Sequence, residues 1–235
     1  MLSDSTKAVR GRVLLAGALA SLAAFVALTA MVTEQEFDGI DGIARAFVHR
    51  PEYAALRSSM ELASFLGGQP GQIVVIVLGS ILLWWRRQRL LACALPLVMA
   101  GAAIVQLSAK WAIDRPRPNL DPWGFPSAHV LTMVVLAGFI AYVIGTSSAR
   151  QRVRALAIAS CGIVVAIVAV SRMYLDAHWL SDVLGGASVG CAYLLAAIWL
   201  IQSLPPLVPS QKRTANPMAA NGPSATSMRF LRRSE

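Results

Sequence analysis

The chain has 235 residues, 56% of them hydrophobic and only 14% charged, against about a quarter charged in an average soluble domain. That balance excludes an ordinary water-soluble domain. The net charge of +9 raises a nucleic-acid partner, but the placement of the basic residues argues against one.

Residues 1–12 read as a short basic tail carrying Lys7, Arg10 and Arg12. Val13–Val32 follows as the first span, close to the ~20 apolar residues needed to cross the hydrocarbon as a helix. A cleaved signal peptide would show similar charges, but its apolar core runs about 7–15 residues, so a retained helix is the favoured reading. Residues 33–71 form a long external segment in which Phe37, Ile40, Ile43 and Phe47 recur at helical spacing. This predicts an amphipathic helix near the membrane surface. The second span, Gln72–Trp85, is short and borrows length from Leu62–Gly68 through a break at Gly67, Gly68, Pro70 and Gly71. Leu90–Ser108, Val130–Gly145, Ala155–Val170 and Val183–Ile201 complete the set. None alternates as a barrel strand would. The expected fold is an all-α bundle of six transmembrane helices over residues 13–202. Residues 203–235, rich in Ser, Pro, Asn, Ala and Arg, read as a disordered tail.

Most of the 21 Lys and Arg fall in four patches: Lys7–Arg12, Arg86–Arg89, Arg150–Arg154, and Lys212 through Arg233. With six spans all four lie on one side, which the positive-inside rule makes cytoplasmic. Both termini are then cytoplasmic, basic charge sets topology, and no nucleic-acid partner is expected. Glu34, Glu36, Asp38, Asp41 and Glu52 occupy the opposite side. Trp111, Trp123 and Trp179 suit an outer aromatic belt and Trp84 and Trp85 an inner one. Gly186 and Gly190 have the spacing that lets helices pack closely. Cys93, Cys161 and Cys191 lie within spans without paired or metal-type spacing.

Ionisable groups are rare within a bundle and invite explanation. Three clusters fall on the external side: Lys110 through Arg117 and Pro118; Pro126-Ser127-Ala128-His129; and Ser171-Arg172 followed by His178 and Asp182. Each has an ordinary reading alone. Lys110 could snorkel, the Arg-Pro repeat could stop a helix, the histidines could be packing residues, and Asp182 could sit at a helix N-terminus. Their convergence on one face favours a site instead.

With the patterns K-x6-R-P, P-S-A-H and S-R-x5-H-x3-D, the chain resembles the type-2 phosphatidic acid phosphatase family, membrane lipid phosphatases related to acid phosphatases and vanadium haloperoxidases. Ala128 replaces the glycine of the family's P-S-G-H. If that glycine needs a left-handed backbone, alanine costs on the order of 1 kcal/mol; if it only opens the fourth helix, alanine is tolerated, the preferred view. The resemblance implies hydrolysis of a lipid phosphate at the extracytoplasmic face, in a bacterium at the inner membrane. Lys110, Arg117, Ser127 and Arg172 would hold the phosphate, suited by guanidinium forks and a helix N-terminus. His178 would be the covalent nucleophile oriented by Asp182, and His129 the acid and then the base. Ala128, Ser171 and Arg115 are candidates for a supporting role. The family mechanism implies no metal or cofactor, and the one further histidine, His49, has no ligand pattern around it. The expected partners are a lipid phosphate substrate and the surrounding membrane lipids. Undecaprenyl pyrophosphate, phosphatidic acid, phosphatidylglycerophosphate and lipid A phosphate are all candidates. Transfer of phosphate to another lipid alcohol, and a silent lipid-phosphate binder, remain the alternative readings.

Overall fold

The computed structural model describes residues 4–49 and 56–204. Eight helices follow in order among the described residues: α1 (Asp4–Thr33), α2 (Asp38–Val48), α3 (Arg57–Leu66), α4 (Gln69–Trp85), α5 (Arg89–Ala112), α6 (Ala128–Gly145), α7 (Gln151–Tyr174) and α8 (Leu180–Ser203). Five of them, α1 and α5–α8, are long and apolar enough to cross a membrane. The pair α3 and α4 bends by 46° and makes a sixth span if taken as one. The break falls at Gly67 and Gly68, as the Gly-Pro-Gly cluster predicts, with Pro70 opening α4 where its missing N–H costs nothing. The chain is an integral membrane protein of all-α architecture. Residues 205–235, expected as a disordered tail, lie outside the described residues.

The helices run beyond the expected spans at most ends, and three differences bear on how the chain is organised. Helix α1 begins at Asp4, so the basic stretch to Arg12 forms its first turns rather than a separate tail. Helix α5 continues past Ser108 to Ala112, which places Lys110 in its last turn instead of beyond the span. Segment 33–71, expected to be external, contains α3 as well as the amphipathic α2.

The outward faces of the bundle are apolar, with Leu19, Val26, Leu78, Leu97, Ile104, Leu156 and Ile163 exposed. Contiguous apolar surface of this kind is what a bilayer covers and water does not. Inside, α8 packs along α1 and α6, and α6 also packs on α7 and α5. Leu95, Val98, Met99 and Ala102 of α5 meet Leu131, Val135 and Phe139 of α6 and Leu194, Ile198 and Ile201 of α8 in one buried cluster. Close approach of α6 and α8 depends on two glycines. A methyl group at Gly186 would lie 2.6 Å from the carbonyl oxygen of Ser127, and one at Gly190 would lie 2.9 Å from that of Leu131. This small-residue spacing therefore serves packing within the bundle. The consequence is positional: α5 ends, α6 begins, α7 ends and α8 begins at the same end of the bundle, opposite the Arg86–Arg89 and Arg150–Arg154 patches.

Candidate active site

Residues 113–127 cross between α5 and α6 as a compact loop rather than a free one. The amide of Gly124 donates to the carbonyl of Arg115 at 2.7 Å and that of Arg117 to Asp121 at 2.8 Å. Leu120 and Trp123 adopt left-handed backbone angles, φ 69° and 61°, which a bulky residue holds only where surrounding contacts impose it. This folding turns the carbonyl of Trp123 onto Lys110, whose buried ammonium donates to it at 2.5 Å. Ser127 caps α6 with extended backbone and is wholly buried; its amide donates to the carbonyl of Asp182 at 2.9 Å, joining the start of α6 to the start of α8.

His178 lies before α8, not on it. Trp179 is the N-cap and Asp182 stands three residues further on, inside the first turn. The carboxylate folds back over the cap: its Oδ2 accepts from the Trp179 amide at 3.0 Å and lies 3.3 Å from His178 Nδ1. A four-residue spacing also fits two side chains on one helical face. The contact is instead made by capping, because a carboxylate at that position satisfies an orphan N–H of the helix start. His178 is 3% exposed. Burial pushes its imidazole down to about 4, outweighing the opposing pull of Asp182 and aided by the charges of Arg172 and Lys110. The ring is therefore neutral near pH 7. With Nδ1–H donating to Asp182, the lone pair sits on Nε2.

The cations converge around it. Lys110 interacts electrostatically with Arg117, Asp182 and Arg172, and His129 with Arg172, His178, Arg117 and Lys110. Arg172, in the last turn of α7, donates to Ser64 Oγ of α3 at 2.5 Å. The Nε atoms of Arg117 and Arg172 and the Oγ of Ser127 are buried without a hydrogen-bond partner. Buried donors left unpaired are costly, and three in one constellation form a ready receptor for an anion's oxygens. The structure thus brings together Lys110, Arg117, Ser127, His129, Arg172, His178 and Asp182.

His129, in the first turn of α6, opens on the other side into a cavity of about 840 Å³ between α3, α4, α5 and α6. Its lining is mainly apolar, including Phe65, Ile73, Ile76, Met99 and Ala103, together with Gln72 and Thr132. Gln72 donates to the carbonyl of Gly67 at 2.6 Å and to Thr132 Oγ1 at 2.8 Å, which fixes the helix break beside the site. A methyl group at Gly68 would come within 3.1 Å of His129 Nε2.

The three supporting candidates fare differently. Arg115 is central: its guanidinium donates to Asp182 Oδ1 at 3.0 Å, Ser181 Oγ at 2.6 Å and Asp41 Oδ2 at 2.9 Å. Ser171 is buried but turned into its own helix, donating to the Val168 carbonyl at 2.7 Å, and takes no direct part. Ala128 is an ordinary helical residue without positive φ. Sequence reasoning missed Asp41, Ser181 and Ser64. The available signal was that Asp38, Asp41 and Arg45 share the polar face of α2, opposite Ile40 and Ile43. Arg45 and Asp176 form a two-pronged pair, 2.7 and 3.2 Å, just before His178. That bond holds the Asp176 carboxyl below its ordinary range and raises the Arg45 guanidinium. Trp179 is more than a belt residue, since its indole N–H donates to the Pro116 carbonyl at 3.2 Å. Trp111 and Trp123 are exposed at this end, and Trp84 and Trp85 at the other.

Residues 120–205 match the model of the PAP2 superfamily. That match takes in the second and third of the three clusters, Pro126–His129 and Ser171–Asp182. The match begins just after Lys110–Pro118, yet the fold carries that segment into the same constellation. The lipid phosphate phosphatase delta of Arabidopsis thaliana is 26% identical over 137 residues, covering 51% of this chain and 32% of the relative. The phosphatidylglycerophosphatase B of Bacillus subtilis is 33% identical over 89 residues, covering 33% of this chain and 42% of the relative. The chain thus spans about a third to two fifths of the length of these curated relatives. The crystal structure of a transmembrane PAP2-type phosphatidylglycerolphosphate phosphatase from Bacillus subtilis superposes with a TM-score of 0.73 at 20% identity, over 82% of this chain and 99% of that one. Aquifex aeolicus LpxE gives 0.52 at 17% identity, over 66% and 92%. At these identities the two solved structures establish a shared fold.

Proposed function

We propose that this protein is a PAP2-type lipid phosphatase that works through a phosphohistidine at His178 without a metal. The observation that carries the reading is the buried His178 held by Asp182 among three unpaired hydrogen-bond donors. The apolar cavity reaching His129 supports a substrate with a hydrocarbon tail. The phosphatase names of the relatives agree with it.

In the proposed cycle the phosphate lies on Arg117, Arg172, Ser127 and Lys110, which offset the charge that spreads over its oxygens in the transition state. His178 Nε2 attacks phosphorus in line, forming a P–N bond while the P–O bond to the lipid breaks. His129 gives its proton to the departing oxygen, then takes one from water, whose oxygen displaces His178 and releases inorganic phosphate. The leaving group is a lipid alcohol for a monoester and a lipid monophosphate for a diphosphate. Phosphatidic acid, phosphatidylglycerophosphate, undecaprenyl pyrophosphate and lipid A phosphate all fit this chemistry. By the basic patches at the opposite end, the site faces the extracytoplasmic side and both termini are cytoplasmic.

The test is phosphate release from a panel of these lipids by protein purified in detergent with a chelator present. At least one lipid should be hydrolysed, and His178→Ala should abolish the activity. Full activity in that variant would overturn the covalent reading.

A further inference from the structure

Helix α2 is amphipathic in an unusual sense, because its polar face is the one that docks. Asp41 is 1% exposed while Ile40 and Ile43 on the other face are 49% and 74% exposed. Asp41 accepts from three groups of two segments: the Ser181 amide at 2.9 Å, Ser181 Oγ at 2.6 Å and Arg115 Nη2 at 2.9 Å. One turn further on, Arg45 grips Asp176 through both carboxylate oxygens, and His49 Nε2 lies 3.3 Å from the same carboxylate. Asp176 holds a left-handed backbone angle, φ 52°, at the turn leaving α7. Asp176 and Ser181 lie on either side of His178, and the two α2 residues that hold them are four apart, on one face of the helix.

We infer that α2 is a brace across the nucleophile loop, with Asp41 and Arg45 as positioning residues for His178. The route from Asp41 is continuous. It fixes Ser181 and Arg115, Arg115 fixes Asp182 Oδ1, and Asp182 Oδ2 orients His178 Nδ1. Arg45 holds the other end of the loop at Asp176. Neither residue reaches the phosphate; their effect falls on the direction of Nε2. Asp38, whose Oδ1 lies 3.4 Å from Arg115 Nη2, is more exposed and adds a weaker contact. The inference rests on the proposed role of His178 and adds residues that the sequence motifs do not contain.

Full-length Asp41→Asn, Asp41→Glu, Arg45→Gln and His178→Ala proteins, purified in detergent, would be compared by kcat and KM on micellar phosphatidic acid. Small misplacements of a reacting group cost on the order of a hundredfold, so Asp41→Asn should lower kcat about tenfold to a hundredfold. KM should stay within about threefold, since the phosphate contacts are intact. Asp41→Glu should recover part of the loss. Arg45 is half-exposed and its variant should fold; Arg45→Gln should lower kcat about threefold or more, again with KM little changed. Losses confined to the amount of folded protein, or to KM, would mean a merely structural role and overturn the brace. If Asp41→Asn does not fold, an unchanged kcat in Arg45→Gln overturns it alone. Wild-type kcat in both variants beside an inactive His178→Ala would sink the brace and leave the covalent reading standing. An active His178→Ala would sink both.

Discussion

Arg115 donates to Oδ1 of Asp182 at 3.0 Å, so the carboxylate that orients His178 is itself held from the loop after α5. Both side chains are nearly or wholly buried, at 12% and 0% exposure, and the same guanidinium also neutralises buried Asp41. Removing one partner of a buried pair leaves an uncompensated charge, at a cost of about 3–5 kcal/mol. Arg115→Ala leaves two carboxylates in that condition. It should lower thermal stability in detergent markedly and reduce kcat more than tenfold, on the order expected for lost preorganisation. Arg115→Lys restores the charge but not the fork that reaches three acceptors, and should recover stability more than turnover. Equal behaviour of the two variants in a melting and turnover comparison would contradict this account.

The depressed imidazole of His178 sets a pH window. Below about 4 the ring is protonated and Nε2 has no lone pair to attack with. Activity should therefore fall as pH drops through about 4, not through the ~6.5 of an unperturbed imidazole. The stability effect has the same sign. An unfolded histidine takes up a proton below ~6.5 that the folded one resists, so this group's contribution is lost as pH falls from there towards 4. The check is kcat/KM against pH, corrected for the substrate's own second ionisation near ~6. An acid limb at ~6.5 after that correction would show His178 to be solvated as an ordinary histidine.

The bundle and the clustered polar residues were legible in the sequence for different reasons. Spans declare themselves by composition, because lipid contact demands ~20 apolar residues in a row, and even the break at Gly67 and Gly68 was visible. Lys110, His129 and Asp182 stood out because charge inside a bundle is rare. Asp41 did not, since it lies among the other acidic residues of segment 33–71 and its partner Ser181 is 140 positions away. Nothing local marks such a contact. The same holds for the extra turn of α5 that carries Lys110, and for the position of His178 ahead of α8. A four-residue spacing fits a helical face and a cap equally well.

Ala128 offers a test of what the P-S-A-H variation means. Its backbone is helical, at the first position of α6 after the Ser127 cap, and no positive φ is required of it. Glycine there gains no conformational relief and adds backbone entropy to the unfolded state, costing about 0.5–1 kcal/mol. Ala128→Gly should therefore melt slightly earlier and turn over within about threefold of the parent protein. A hundredfold gain in turnover would show that the alanine is strained after all.

Gly186 should be far less forgiving than Ala128. A methyl group there would lie 2.6 Å from the carbonyl oxygen of Ser127 and 3.3 Å from the Leu131 amide, both backbone atoms of the α6 start. Backbone cannot turn away as a flexible side chain can, so α6 must move off α8. That shift acts on the bond between the Ser127 amide and the Asp182 carbonyl, which joins the start of α6 to the start of α8. Overpacking of this kind costs about 1–3 kcal/mol, so Gly186→Ala should melt earlier. Because the displacement also reaches Ser127 and His129, kcat should fall by tenfold or more, on the scale of an ångström's misplacement. Gly162, whose added methyl would meet nothing, is the control. Gly162→Ala should leave both quantities unchanged, and a Gly186→Ala protein that matched it in melting and turnover would show that the α6–α8 contact does not set the site.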